Sequence, residues 1–448
     1  MNIPENSNEN IEIEKRRERH ERRVRTERVC YLIFGALVLC LLVGVGALVM
    51  KLVQNRPGDE PVVADLPSAS PLINVSPSPI EPLPSEEPVP SEDPRDELDD
   101  LVDLYMASMS LEEKVYGLFF VTPEAITGVS TATKAGNSTK EAIEKQPVGG
   151  IVYFAKNITG ATQFKEMLLN TQKYAKYPMF LGIDEEGGSV ARLGNSKAGV
   201  AQVKNMSEIG ATMDSMEAYS AYITISTYLK DYGINVNFAP VADVLTDSTS
   251  DSLKKRIFSS DPELTAQMVR SSVTAMQDQG ISATLKHFPG LGSVSEDTHN
   301  ASGASAMDLT EFSNTCMAPF ASGIEAGADF VMVSHASYPN ITGTDEPASM
   351  SSYIINDILR DVLGYNGIVI TDALNMAAIT GKYTCGEACV QALKAGADML
   401  LMPESLSEGY NAILTAVQNG EISEERINES IHRIYRVKYK EAINGPLG

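Results

Sequence analysis

The apolar residues of this chain fall into two kinds of run. One is long and continuous: Val29 to Met50 is 22 residues without a charge, closed by Lys51. As a helix rising 1.5 Å per residue it would span roughly 33 Å, the thickness of a bilayer core. The others are short and recur at intervals through residues 117–402: Gly117–Val121, Gly150–Phe154, Met179–Ile183, Val236–Pro240, Ile281–Lys286, Phe330–Ser334, Ile368–Thr371 and Met399–Met402. Each has the length of a buried strand. Between them lie helical periodicities at 163–174, 216–232, 262–279, 309–326, 352–363, 387–395 and 408–419, with a further helix at 424–441. Continuous apolar strands separated by amphipathic helices predict a parallel sheet covered on both faces.

One internal repeat supports the count. Ala326-Gly327-Ala328-Asp329 precedes Phe330–Val333, and Ala395-Gly396-Ala397-Asp398 precedes Met399–Met402. Each reads as a helix end, a glycine turn and a buried strand. Eight such units predict an α/β fold, a (β/α)8 TIM-type barrel. An open doubly wound sheet is disfavoured, because no Gly-x-Gly-x-x-Gly opens a helix after the first strand.

Ahead of the barrel the composition changes twice. Residues 1–28 form a tail that turns basic from Lys15 to Arg28. Residues 29–51 are the predicted transmembrane helix, uncleaved because no small-x-small site follows it. Residues 52–97 form a Pro/Ser/Glu-rich linker holding 11 of the chain's 23 prolines, from Pro57 to Pro94. Such a stretch buries too little apolar surface to fold. The barrel then occupies 98–448. The basic excess keeps the N-terminus cytoplasmic, which predicts a single-pass protein of the cell membrane with its barrel extracellular.

Charge narrows the partners. The formal net charge is −23 and the sequence pI about 4.7, so nucleic acid is not expected as a partner. Tryptophan is absent and there are five cysteines. Cys385 and Cys389 have helical spacing but no matching pair, a poor zinc pattern.

The candidate chemistry sits where the strands end. Asp184-Glu185-Glu186-Gly187-Gly188 and Arg192 follow the third strand. Asp243 follows the fourth, with Lys254, Lys255 and Arg256 in the loop behind it. Lys286, His287, Asp297 and His299 follow the fifth, His335 the sixth and Asp372 the seventh. In a barrel these positions share one rim, the C-terminal rim where active sites lie. Asp372, at a rigid strand end, suits a nucleophile or electrostatic stabiliser. His299 beside Asp297 suits a mobile acid/base. Asp184, Arg192, Arg256, Lys286 and His287 suit the gripping of hydroxyls and amides. Asp184, Glu185 and His287 are candidate metal ligands, but His-x-His and His-Glu-x-x-His spacings are absent and no metal is expected.

Six motifs in order carry a resemblance. They are Ile183–Gly188 with Arg192, Asn237–Asp243, Arg256–Pro262, Lys286–Gly290, Asp297-Thr298-His299 and Thr371–Met376. Together they resemble the catalytic barrel of family 3 glycoside hydrolases, in the β-N-acetylglucosaminidase branch. The resemblance implies a retaining hydrolase of terminal β-linked N-acetylhexosamine, acting on carbohydrate of the cell-wall, peptidoglycan type. It implies Asp372 as nucleophile and His299, paired with Asp297, as acid/base. Asp184, Arg192, Arg256, Lys286 and His287 would bind the sugar. No cofactor is implied, and a monomer is expected. The chain departs from the family at Gly290-Leu291-Gly292-Ser293-Val294, where Gly-His-Gly-Asp-Thr is usual. Three alternatives follow: a membrane-anchored saccharide-binding or sensing module with weak or no catalysis, a β-glucosidase, and a phosphorolytic variant.

Overall fold

The computed structural model describes residues 94–295 and 303–444. The predicted tail, membrane helix and all but the end of the linker lie outside the described residues. Among the described residues no helix is long and apolar enough to cross a membrane.

All eight predicted strands form: β1 Phe119–Val121, β2 Gly150–Tyr153, β3 Phe180–Ile183, β4 Val236–Asn237, β5 Ser282–Phe288, β6 Phe330–Val333, β7 Ile368–Thr371 and β8 Leu400–Leu401. They are parallel and ordered β8-β1-β2-β3-β4-β5-β6-β7. The two ends of that order meet through a parallel bridge between Ile370 and Met399, and Leu374 N–H donates to the Leu401 carbonyl at 2.8 Å. The sheet is thus a nearly closed barrel. Every strand residue is buried, which is why most strands read as apolar runs; the buried polar exceptions are Asn237 in β4, Ser282, Thr284, Lys286 and His287 in β5, and Thr371 in β7.

Packing inside the sheet turns on Phe120. Its ring meets Phe238 at 5.2 Å and Phe180 at 6.3 Å between centroids. A Cβ at Gly150 or Gly182 would lie 2.7 or 2.6 Å from that ring. Both glycines are there because the ring occupies the space a side chain would need.

Four expectations shift. Helix Pro94–Ala107 starts within the predicted linker, since proline fits the first helical turn. Gly117 ends helix Leu111–Gly117 instead of opening β1, and a Cβ there would meet Ile431 Cδ1 at 2.9 Å. The helix expected over 309–326 is two, Leu309–Thr315 and Met317–Glu325. Pro319 has no N–H for the Thr315 carbonyl, so the helix breaks there. Residues Tyr353–Val362 form a wider π-helix, closing with Leu363 N–H to the Ile358 carbonyl at 3.0 Å.

The two repeat aspartates serve the N-terminal side of the barrel. Asp398, fully buried just ahead of β8, accepts from Arg360 Nη2 at 2.6 Å, Ser430 Oγ at 2.8 Å, Val369 N–H at 2.9 Å and Arg433 Nη1 at 3.1 Å. Asp329 pairs with Lys440. These contacts fasten helix Glu424–Asn444 to the sheet.

Candidate active site

The C-terminal ends of β3, β4, β5 and β7 converge on one cavity of about 360 Å³. After β3 the chain enters a hairpin, Glu185–Gly187 against Val190–Ala191. Successive side chains of an extended strand point to opposite faces. Asp184 and Glu186 therefore line the cavity, while Glu185 turns away. Its carboxylate accepts from the N–H groups of Leu193 and Gly194, each at 2.7 Å, and from Tyr228 Oη at 2.8 Å. Burial pushes the Glu185 carboxyl above its usual range despite these donors. The candidate metal trio of Asp184, Glu185 and His287 is not brought together, and among the described residues no cluster of three or more metal-ligating side chains exists.

Glu186 organises the cavity floor. Arg256 clamps it with Nε to Oε2 and Nη2 to Oε1, both 2.8 Å, and Lys286 Nζ lies 2.6 Å from Oε1. Burial alone would raise this carboxyl, but the two cations hold it well below the usual carboxylate range. Burial opposes the charge on Arg256, yet Glu186 raises its proton affinity overall. Lys286 also donates to Asp184 Oδ1 at 2.9 Å, and Arg192 Nη2 stands 3.5 Å from Asp184 Oδ2. Arg192 covers the Phe154 ring at 5.6 Å, and its Nε is buried with no hydrogen-bond partner among the described residues.

His287, beside Lys286, is held from below. Its Nδ1 lies 2.8 Å from Asp243 Oδ2, and its Nε2 lies 3.4 Å from Arg256 Nη2. Asp243 is fully buried, and its other oxygen accepts the Leu291 N–H at 2.7 Å. The Lys286–His287 peptide is cis.

Asp372 follows β7 and lines the same cavity. Its N–H donates to the Val333 carbonyl at 2.9 Å, and Ala373 N–H donates to Asp372 Oδ1 at 2.8 Å. His335 stands behind it. Its Nε2 is 3.0 Å from the Ala373 carbonyl and its Nδ1 2.8 Å from Ser349 Oγ, so it seats the turn that carries Asp372.

Six of the eight predicted site residues thus share one cavity: Asp184, Arg192, Arg256, Lys286, His287 and Asp372. Asp297 and His299 lie outside the described residues. The unusual loop base is well bonded. Leu291 is buried, Thr246 and Thr249 hydroxyls both donate to the Gly292 carbonyl at 2.7 Å, and Ser293 Oγ donates to the Gly290 carbonyl at 2.9 Å. Sequence reasoning did not single out Glu186 as a site residue. The only signal was its alternation with Glu185 in a loop not recognised as a hairpin.

A parallel barrel with paired acids and bases gathered at the C-terminal rim defines an α/β-barrel enzyme. The sequence profile of the Glycosyl hydrolase family 3 N terminal domain matches residues 110–437, and the chain belongs to that family. It is 31% identical over 328 residues to beta-hexosaminidase A of Pseudoalteromonas piscicida, covering 67% of this chain and 54% of that one. Against a beta-hexosaminidase of Xylella fastidiosa (strain 9a5c) it is 32% identical over 277 residues, covering 60% and 81%. A glycoside hydrolase family 3 beta-N-acetylglucosaminidase from Paenibacillus sp. str. FPU-7 superposes with a TM-score of 0.71 at 34% identity, covering 76% of this chain and 64% of that one. The chain therefore spans about half the length of the first of these relatives and under two thirds of the solved structure.

Proposed function

We propose that the protein is a retaining exo-β-N-acetylglucosaminidase that removes terminal β-linked N-acetylhexosamine from cell-wall, peptidoglycan-type saccharides. The observation that carries this reading is the placement of Asp372. It stands on the rigid end of β7 and shares its cavity with Asp184, Lys286, Glu186, Arg256 and His287. Those groups grip sugar hydroxyls and the N-acetyl amide, while Asp372 attacks the anomeric carbon and forms the glycosyl-enzyme. His299, oriented by Asp297, protonates the leaving oxygen and then removes a proton from the attacking water. A histidine in this role replaces the second carboxylate of the usual retaining pair. A second cavity of about 390 Å³ shares Phe154, Arg192 and Met402 with the first, which gives room for the leaving group. The names of the relatives support the hexosaminide preference. The membrane helix at 29–51 would tether this barrel outside the cell, at the end of the linker.

The test is hydrolysis of a chromogenic N-acetylglucosaminide, followed by trapping with a fluorinated sugar and peptide mapping. Label on Asp372 is expected. Label elsewhere, or full turnover by Asp372→Asn, overturns the assignment. Release of free sugar in the presence of phosphate separates hydrolysis from phosphorolysis, which would yield the sugar 1-phosphate.

A further inference from the structure

We infer that Asp243 is a positioning residue that fixes the tautomer of His287, so that His287 meets the sugar as a hydrogen-bond acceptor. This rests on reading the cavity as the saccharide site, and it follows from which atoms have protons to give.

Arg256 is a donor only, since a guanidinium has no acceptor. Its Nη2 stands 3.4 Å from His287 Nε2. A proton on Nε2 would face an N–H of a cation, so Nε2 carries the lone pair. The ring proton then sits on Nδ1, where Asp243 Oδ2 accepts it at 2.8 Å. Asp243 is suited to impose this. It is fully buried, an ionised carboxylate only accepts, and its partners are all donors: His287 Nδ1–H, His287 N–H at 3.3 Å and Leu291 N–H at 2.7 Å. No orientation of Asp243 can serve the other tautomer. The consequence reaches the substrate. At 3.4 Å the Arg256 contact is long, and a sugar hydroxyl entering the cavity is the better donor to Nε2. Asp243 thus selects a substituent that gives a proton at this point over one that only accepts.

The same carboxylate holds the base of the following loop through Leu291, so one buried group sets both the grip and the start of that loop. Asp243→Asn is the discriminating change because it keeps the shape and reverses the logic. An amide that still accepts from Leu291 N–H must turn its NH₂ toward His287 Nδ1, which drives the proton to Nε2 and against Arg256.

The test joins a spectroscopic and a kinetic reading on the full chain. Nitrogen NMR of 15N-histidine protein, with His287→Gln to assign the signal, should show the Nδ1–H tautomer in the wild type and Nε2–H in Asp243→Asn. The kcat/KM for an aryl N-acetylglucosaminide should fall by roughly 10- to 100-fold in Asp243→Asn, the loss expected for a charged hydrogen bond, with KM carrying most of the change. A wild-type His287 with Nε2–H, or with both nitrogens protonated, overturns the inference whether or not the variant folds. So does a variant that keeps both the wild-type tautomer and wild-type kinetics. Failure of the wild type to turn over the substrate would instead strike the functional reading, while the tautomer still decides this one.

Discussion

Removing one negative charge at Glu186 should cost the protein stability in a pH-dependent way. In Glu186→Gln the side chain keeps its volume, but Arg256 and Lys286 lose the carboxylate that both contact within 2.8 Å. Their side chains are 12% and 2% exposed, so water cannot take its place. Breaking a buried pair by removing one partner typically costs about 3–5 kcal/mol. Asp184 remains 2.9 Å from Lys286 and compensates part of this, which favours about 3 kcal/mol. For a domain of this size, with an unfolding entropy of about 2.1 cal/mol/K per residue, that corresponds to a fall in Tm of about 4 °C.

The pH dependence gives the reasoning a second and sharper check. The folded Glu186 carboxyl is held far below its ordinary value of 4.5, with burial opposing and the Arg256 and Lys286 charges prevailing. A group whose pKa is depressed by folding stabilises the native state above its unfolded pKa and loses that contribution as the pH falls. Thermal unfolding of wild type and Glu186→Gln should therefore differ by a constant amount above about pH 5.5 and converge progressively below pH 4.5. Differential scanning calorimetry at a series of pH values measures this. A gap that does not narrow with acid, or a variant as stable as the wild type at neutral pH, would refute the idea that Glu186 acts as the counter-charge.

Three further outcomes are expected. Asp372→Asn should lower kcat by at least about 10³-fold, as loss of a nucleophile does, while its Tm stays close to wild type because the residue is only half-buried. Asp398→Ala should do the reverse: unfolding free energy should drop by about 3–5 kcal/mol, since Arg360 and Arg433 lose their buried partner, with kcat/KM unchanged below the transition because the residue lies at the opposite end of the barrel. Gly182→Ala should destabilise by about 1–3 kcal/mol, because its methyl would lie 2.6 Å from the Phe120 ring; denaturant unfolding measures both stability changes.

The strands were legible because a parallel barrel buries both faces of each strand, and burial writes itself as an unbroken apolar run. The rim was legible for a related reason: once the strands end, position along the chain becomes position in space. Pairings across the rim were not. Nothing in Asp184-Glu185-Glu186 says that the middle acid turns to Leu193 and Gly194 while the outer two face the cavity. That depends on a hairpin whose second strand is only Val190–Ala191. Asp243 and His287 are 44 positions apart, and their contact comes from adjacent strands β4 and β5. The break at Cys316, by contrast, is written in Pro319, although the apolar periodicity runs on through it.

The non-catalytic saccharide-binding reading draws on the predicted anchor and on the departure from the family at Leu291 and Ser293, and local bonding bears on the second of these. Replacing a polar side chain in a buried loop base is costly when it leaves former partners without a bond. Here the loop base is held through the backbone instead. Asp243 accepts from the Leu291 N–H, and the Thr246 and Thr249 hydroxyls donate to the Gly292 carbonyl. Gly292 itself packs so closely that a Cβ would stand 2.1 Å from the Val244 carbonyl. Ser293 bonds to the Gly290 carbonyl and lies 2.7 Å from Ser305 Oγ. Leu291 is buried, so it fills space that needs no polar partner. Loss of catalysis therefore does not follow from these substitutions, and a variant restoring the usual His and Asp at 291 and 293 should gain little in kcat while risking a buried polar group without a partner at 291 and, at half-buried 293, a carboxylate facing the Gly290 carbonyl.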